Sequence, residues 1–243
     1  MPTRSQVHAV YASERYAQSY DVAGQDFVVS EETAAEQLSP RFARLESYLP
    51  NKGRMLDIGA SRGVFLKLAA LEGWTIFGLE AGLDTIEYAK LHYGITIEHG
   101  TLEETAIPLA FYDAIHLSHV LEHLHDPLAS IRILGNSLKS GGVLVVEVPF
   151  EFGDLFDRFR EFALRRPRAV NAVPSSHLTF FTLPTLCRLL EDAGFEILHA
   201  ATPRRNQSFG STLPMGKMLK GIVYRWEQIL KMGPLIEVYA RKK

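Results

Sequence analysis

The sequence predicts an α/β fold in which a doubly wound, mostly parallel sheet carries helices on both faces. Short apolar runs, such as Met55–Ile58 and Val143–Pro149, have the character of buried parallel strands. Apolar residues at helical spacing follow the first run, as in Phe65–Leu71, and glycines separate the two patterns. Such a turn directs backbone N–H groups into a crevice at the carboxyl ends of the strands, so we expect a ligand there.

The composition predicts a globular protein. The chain has 243 residues, 47% hydrophobic and 22% charged, which suits one α/β domain with small additions. Its one cysteine, Cys187, excludes a disulfide framework and a cysteine-cluster metal site, and we expect it to be a small core residue. Neither a signal-peptide pattern nor a long apolar segment occurs, so we expect a cytoplasmic protein without stable membrane insertion.

The charge pattern argues against nucleic-acid binding. Residues 1–150 are acidic and residues 151–243 are basic, but the basic residues are scattered over predicted helices and form no run interleaved with aromatic residues. A solvated surface is the simpler interpretation of this basic half. We expect a small-molecule partner.

The patterns divide the chain into a core with helical additions. A helix is expected over Glu31–Leu49, broken near Pro40. Strands are expected over Ile95–Gly100 and Phe195–Ala201, and a turn over residues 139–142. Two later additions carry apolar stripes and basic residues, and we expect them to form a substrate lid or an oligomer contact. The boundaries are 1–50 for an N-terminal helical cap, 51–202 and 234–243 for the core, and 150–176 and 203–233 for the additions.

The spacing of the first glycine turn separates three cofactor classes. A nucleoside-triphosphate loop needs Gly-x-x-x-x-Gly-Lys-Ser/Thr, which is absent from this turn. Dinucleotide binding needs Gly-x-Gly-x-x-Gly, but Ser61 and Val64 stand at the second and third glycine positions. The remaining pattern, Asp57-Ile-Gly59-Ala-Ser-Arg-Gly63, resembles the first motif of class I S-adenosylmethionine-dependent methyltransferases, which usually has a glycine in place of Ser61. A carboxylate suits a ligand that carries an ammonium and a sulfonium group.

A second acid supports a nucleoside-containing cofactor. Glu80 ends the predicted strand Trp74–Glu80 and follows Asp57 by about 20 residues, the spacing of a ribose-binding carboxylate in a βαβ unit. A buried acid without a partner is costly, so a ligand hydrogen bond is expected at this strand end. We expect Glu80 to bind the ribose hydroxyls.

A later segment narrows the resemblance. Leu121-Glu-His-Leu-His-Asp-Pro127 is similar to the Leu-Glu-His-x-x-Asp-Pro run of the branch that contains ubiquinone-biosynthesis O-methyltransferases and polysaccharide and natural-product methyltransferases. The resemblance covers roughly residues 40–202 and implies a seven-stranded Rossmann-like methyltransferase fold, with S-adenosylmethionine as cofactor and S-adenosylhomocysteine as product. Thr101 stands where the family commonly has an aspartate for the adenine. The cofactor residues that it implies are Tyr16, Asp57, Gly59, Ala60, Ser61, Gly63, Glu80, Ala81, Thr101, Leu102 and Ser118.

Histidines after the fourth strand suggest the chemistry. On a helical turn His119, Glu122 and His123 would share one face, a spacing that can hold a divalent metal. The alternative is that His119 faces the active-site mouth as a general base, since imidazole titrates near neutral pH. His177, before a Phe-Thr segment that resembles the branch, is a second base candidate. We predict the base and no bound metal ion.

The expected function is methylation of a small molecule, most simply of a hydroxyl on a sugar, glycan or natural product. The type of acceptor atom, oxygen, nitrogen or carbon, stays open. The alternative is a catalytically idle protein that binds S-adenosylmethionine as a regulator or scaffold. A homodimer is a possible assembly, and we expect acceptor choice to depend on the additions 150–176 and 203–233.

Overall fold

The computed structural model describes residues 31–151, 177–203, 225–227 and 229–243. The prediction for Tyr16 and most of the two predicted additions lie outside the described residues. Among the residues that the structure does describe, no helix is long and apolar enough to cross a membrane.

Seven strands of the described chain form one sheet with helices on both sides. The strands are β1 (Arg54–Ile58), β2 (Thr75–Glu80), β3 (Glu98–His99), β4 (Tyr112–Ser118), β5 (Leu138–Pro149), β6 (Phe195–Ala201) and β7 (Leu235–Lys242). The helices are α1 (Glu31–Tyr48), α2 (Val64–Leu71), α3 (Leu83–Tyr93), α4 (Pro127–Ser137) and α5 (Leu183–Asp192), with a 3₁₀ turn over Leu121–His123.

The strand order creates the predicted crevice. The order is β3-β2-β1-β4-β5-β7-β6, and only β7 runs antiparallel to its two neighbours. The chain proceeds outward from β1 to β2 and β3, then returns to place β4 on the other side of β1. Ligands of doubly wound sheets bind where the order reverses, beyond the carboxyl ends of the strands. The predicted doubly wound, mostly parallel sheet is therefore confirmed.

Two apolar layers hold the helices against the sheet. Ile131 of α4 and Leu186 of α5 are fully buried in one layer. Phe42 of α1 and Phe65 of α2 lie in the other layer, which takes the alternate residues of the same strands. Because successive strand residues point to opposite faces, the two layers cover the two faces of the sheet.

Three local predictions were wrong. Helix α1 continues through Pro40, because Phe42 and Leu45 beyond it are buried in the core and offset the one backbone hydrogen bond that proline removes. Residues 139–142, expected as a turn, lie inside β5, which begins at Leu138, and the pairing with β4 is irregular there: Leu138 pairs with Tyr112 and Val143 with Ala114. Strand β3 has two residues rather than the expected six, since it pairs only at the end of β2.

Candidate active site

The glycine turn after β1 has the backbone that a close-fitting cofactor site requires. Gly59 and Gly63 have φ values of +72° and +76°, in the left-handed region that favours glycine. Ser61, which stands where the first motif usually has a glycine, also lies there, with φ of +48°. Gly63 caps α2 without a side-chain hydrogen bond, so no side chain of the cap covers the first N–H groups of the helix.

The turn also packs tightly against the loop that follows β4. A Cβ atom added at Gly59 would lie 2.4 Å from Cγ2 of Val120, so only glycine permits this approach. The backbone N–H groups of Gly59 and Ala60 both donate to the carbonyl of Leu79, at 2.8 and 3.2 Å. The turn is therefore fixed between β2 and the loop after β4.

Glu80 holds the turn from the end of β2. One carboxylate oxygen accepts a hydrogen bond from the N–H of Ser61 at 2.8 Å, and the other accepts from Gly82 at 2.7 Å. Each oxygen has a second lone pair available for a ligand hydroxyl. Ala81, which follows Glu80, has its carbonyl 3.2 Å from Nε2 of His99. The structure thus places Glu80 beside Ser61, as a shared role in cofactor binding requires.

Asp57 lies beneath the turn, with 3% of its surface exposed. Its Oδ1 is 2.7 Å from Nδ1 of His116, whose Nε2 contacts a guanidinium nitrogen of Arg41. Arginine can only donate, so Nε2 accepts and the His116 proton lies on Nδ1, directed at Asp57. Burial raises the pKa of Asp57 well above its usual range, while the Arg41 charge opposes that rise. Asp57 is thus the end of a buried polar chain.

Arg41 joins this chain to two further strands. Its guanidinium lies 2.6 Å from Glu147 and 2.9 Å from Glu237, in β5 and β7. The neighbouring Phe42 stacks on Phe65 with ring centroids 5.0 Å apart, and Phe65 in turn stacks on the His116 ring at 3.8 Å. Helix α1 therefore contributes one cation and one aromatic ring to the support of the cofactor edge.

Two predicted adenine-side residues lie in the loop after β3. The carbonyl of Thr101 accepts from the N–H of Thr105 at 2.9 Å, which closes a turn. Leu102 is 3% exposed and belongs to the core, so only its backbone is free to line a slot. Glu103, which follows them, has a carboxylate oxygen 3.7 Å from Nδ1 of His125.

His119 is the exposed member of the histidine-rich segment. Its side chain is 45% exposed, and its backbone has φ of +57°, an uncommon value for a residue with a side chain. The N–H of His119 donates to the carbonyl of Glu147 at 3.0 Å, while the preceding Ser118 donates its hydroxyl to the Glu147 carboxylate at 2.8 Å. The loop thus presents His119 at the end of β4, beside the cofactor turn.

His177, predicted as a base, lies next to Glu122. The ligand atoms of Glu122, His123 and His177 all lie within 4.8 Å of one another. Two members of the predicted His119, Glu122 and His123 set thus belong to this group, and His177 is its third member in place of His119. His177 is itself joined by Nδ1 to the carboxylate of Glu151.

Sequence reasoning missed the residues that support Asp57. The missed residues are Arg41, His116, Glu147 and Glu237. Glu151, which supports His177 rather than Asp57, was also missed. A signal was present for three of them, because each interrupts an apolar strand: His116 in β4, Glu147 in β5 and Glu237 in β7. A charged or polar residue inside a buried strand requires a partner.

Sequence comparisons agree with this architecture. A family model described as a methyltransferase domain matches residues 30–200. A ubiquinone biosynthesis O-methyltransferase of Escherichia coli O7:K1 is 36% identical over 95 residues, which are 37% of this chain and 40% of that protein. The match therefore spans about two fifths of that relative's length.

Solved structures share the fold. A methyltransferase from Archaeoglobus fulgidus superposes with a TM-score of 0.64 at 21% identity, covering 92% of this chain and 99% of that one. A phosphoethanolamine N-methyltransferase from Haemonchus contortus, solved with S-adenosylmethionine, gives 0.56 at 19% identity, covering 84% and 52%. The glycine turn, the acids at two strand ends and the family match together identify the chain as a class I S-adenosylmethionine-dependent methyltransferase.

Proposed function

We propose that this protein transfers the methyl group of S-adenosylmethionine to a hydroxyl oxygen of a small molecule, such as a sugar, glycan or natural product. The observation that carries the proposal is the placement of His119. This imidazole is 45% exposed at the end of β4, and Val120 beside it packs on the cofactor turn. An acceptor next to the cofactor would meet His119.

The cofactor supplies an electrophilic methyl group on its sulfonium. The acceptor oxygen forms a bond to the methyl carbon as the carbon–sulfur bond breaks, which leaves neutral S-adenosylhomocysteine. The hydroxyl proton must leave the acceptor, and His119 is the group proposed to take it. Imidazole suits this role because its ordinary pKa lies near neutrality. Holding the oxygen against the methyl group supplies much of the remaining acceleration.

The residues around the turn fit the cofactor. Glu80 would bind the ribose hydroxyls while its present hydrogen bonds keep the Ser61 backbone in place. Asp57, at the end of the first strand, favours the cationic end of the cofactor over an anionic ligand. The ubiquinone-pathway relative is named as an O-methyltransferase, which supports oxygen as the acceptor atom.

A methyl-transfer screen tests the proposal. The full-length protein would be incubated with isotope-labelled S-adenosylmethionine and panels of nucleotide sugars, glycans, phenols and amines, and products located by mass and fragmentation. We expect a methyl ether from at least one hydroxyl acceptor. His119→Gln should suppress that product, whereas His92→Gln, which alters an exposed histidine on α3, should not.

Other outcomes contradict specific parts of the proposal. Methylation of amines alone would replace oxygen by nitrogen as the acceptor. Tight S-adenosylhomocysteine binding without turnover on any panel would favour a regulatory or scaffold protein. Equal turnover by His119→Gln and the unmodified protein would remove His119 from the role of base.

A further inference from the structure

The carboxylate of Glu122 lies buried beside two imidazoles. The residue is 1% exposed, and among the described residues neither of its oxygens has a hydrogen-bond partner. The nearest imidazole nitrogens are Nδ1 of His119 at 3.5 Å and Nε2 of His123 at 3.9 Å, both too far for a good hydrogen bond. A buried charge is costly unless it is paired or coordinates a metal. A cation bound between this carboxylate and the imidazoles would compensate such a buried charge.

The backbone brings a third ligand from a distant part of the chain. The N–H groups of Leu178 and Thr179 both donate to the carbonyl of Glu122, at 2.8 and 3.1 Å. These bonds fix His177 beside the 3₁₀ turn, where its ring lies 4.6 Å from the His123 ring at an interplanar angle of 77°. These main-chain hydrogen bonds fix the backbone of the segment that carries His177 relative to the backbone of Glu122.

The spacing of the ligand atoms suits a metal ion after small side-chain rotations. Those of Glu122, His123 and His177 lie within 4.8 Å of one another. Ligand bonds of 2.0–2.1 Å in a tetrahedral zinc site would place neighbouring ligand atoms roughly 3.3 Å apart. The Glu122–His123 separation of 3.9 Å is already close to that value.

Glu151 gives His177 the environment of a metal ligand. Its carboxylate is hydrogen-bonded to Nδ1 of His177, which leaves Nε2 as the coordinating atom. Metal-binding histidines commonly donate their other ring N–H to a carboxylate, which fixes the tautomer and the ring orientation. Both side chains are mostly buried, at 12% and 14% exposure, so this pair is not a surface contact.

We propose that Glu122, His123 and His177 bind one divalent transition-metal ion, with Glu151 as the residue that positions His177. Two imidazoles and one carboxylate favour zinc or a similar first-row ion over Mg²⁺ and Ca²⁺, which prefer oxygen ligands throughout. This assignment makes His177 a ligand rather than the second base that the sequence predicts.

The ion would have a position open for the acceptor. Three protein ligands leave at least one coordination position for water or substrate, as in catalytic zinc sites. A hydroxyl bound there would become more acidic and would lie near His119, whose Nδ1 is 3.5 Å from the Glu122 carboxylate. This second step rests on the proposed hydroxyl methylation, whereas the binding site itself does not.

Metal content and cobalt spectroscopy test the site without reference to activity. The full-length protein would be stripped with a chelator, dialysed against Zn²⁺ or Co²⁺, and measured by elemental analysis and visible absorption. We expect one ion per chain and visible cobalt bands. Glu122→Gln and His177→Gln should lose both signals, Glu151→Gln should bind about 10- to 100-fold more weakly, and His92→Gln should match the unmodified protein.

Thermal unfolding distinguishes a variant that has lost a metal-binding side chain from a variant that no longer folds. Zn²⁺ should raise the melting temperature of the unmodified protein but not of Glu122→Gln. In the metal-free form, Glu122→Gln should melt at least as high as the unmodified protein, because the variant removes an uncompensated buried charge. Equal cobalt spectra in Glu122→Gln, His177→Gln and the unmodified protein would overturn the site, as would a metal-free Glu122→Gln that no longer folds.

Turnover distinguishes the two steps. If the acceptor binds the ion, metal removal should raise KM for a hydroxyl acceptor and leave S-adenosylhomocysteine affinity unchanged. Stoichiometric metal with unchanged turnover after removal would contradict the acceptor role alone. Methylation of amines only, with the metal still bound, would contradict the proposed function while leaving the metal site in place.

Discussion

The guanidinium of Arg41 lies 2.6 Å from the carboxylate of Glu147, and each side chain is 2% exposed. This pair connects helix α1 to the central part of the sheet. Through His116 the same guanidinium reaches Asp57 beneath the cofactor turn. The helix that precedes the core is therefore electrostatically part of the core.

We expect Arg41→Met to reduce the free energy of unfolding by about 3–5 kcal/mol. Loss of the arginine leaves two buried carboxylates without a positive charge beside them, and removal of one partner from a buried ion pair is strongly destabilising. Chemical denaturation measures the change. Arg44→Met alters an exposed arginine on the same helix and should cost less than about 1 kcal/mol. Equal losses in both variants would show that Arg41 acts only through general helix packing.

Gly59→Ala and Gly94→Ala isolate the contact with Val120. Both glycines have positive φ, +72° and +66°, so alanine introduces similar backbone strain at each, about 1–2 kcal/mol. A Cβ at Gly94 would meet no atom of the described residues within 4 Å, whereas one at Gly59 would lie 2.4 Å from Val120. Calorimetry with S-adenosylhomocysteine should therefore show weaker binding for Gly59→Ala only. If folded Gly59→Ala binds S-adenosylhomocysteine as tightly as the unmodified protein, the contact between Gly59 and Val120 is not needed for cofactor binding.

Glu80→Gln should weaken S-adenosylhomocysteine binding by about 1.5–3 kcal/mol, the value of a hydrogen bond to a charged group. Glutamine keeps the shape of the side chain, but only one of its two terminal atoms can accept a hydrogen bond. We therefore expect both the ribose contact and the hydrogen bond from Ser61 to weaken. Titration calorimetry gives the affinity. Glu98→Gln, on the exposed strand β3, is the matched control and should bind normally. Equal affinity in the two variants would refute the ribose assignment.

Asp113 should make stability depend on acid pH. Burial alone would raise its pKa, but hydrogen bonds from Lys139 and the N–H of Arg54 lower the pKa on balance. Because the folded pKa is lowered, its stabilisation is present above the ordinary value of about 3.9 and is lost as pH falls through the folded pKa. The stability advantage over Asp113→Asn should thus shrink below about pH 4 in denaturant titrations. An advantage independent of pH would exclude this ionic contribution.

His119→Gln should lower kcat by about 10²- to 10⁴-fold if the imidazole takes the acceptor proton. The side chain is 45% exposed, so its replacement should leave the melting temperature and cofactor affinity nearly unchanged. Steady-state kinetics on a hydroxyl acceptor, with calorimetry for the cofactor, provide the test. A parallel loss of cofactor affinity would point to a binding role instead.

The sequence was sufficient for features that depend on local pattern. Apolar runs located the strands, and β6 was predicted with the same ends, Phe195–Ala201. The glycine turn and Glu80 follow from spacing, and the structure brings them together through the bond from Ser61. The strands and the turn could be predicted because strand period, turn conformation and parallel order are encoded within short stretches.

Contacts across long separations could not be predicted in the same way. Arg41 is 196 residues from Glu237, and no local pattern links the two positions. Pro40 predicts a break that does not occur, because its local cost is outweighed by burial of the helix beyond it. The neighbourhood of Glu122 and His177 depends on backbone hydrogen bonds between segments whose separation no spacing rule covers.

The network around Arg41 has an evolutionary consequence. Replacing Arg41 alone leaves the carboxylates of Glu147 and Glu237 buried without a positive partner, which destabilises the fold. Replacing all three charged residues by apolar ones of similar volume is often neutral or stabilising. Positions 41, 147 and 237 should consequently vary as a group among relatives, either all charged or all apolar. Intermediate combinations should be rare, and an alignment deep enough to reveal correlated substitutions would show this without any experiment on the protein.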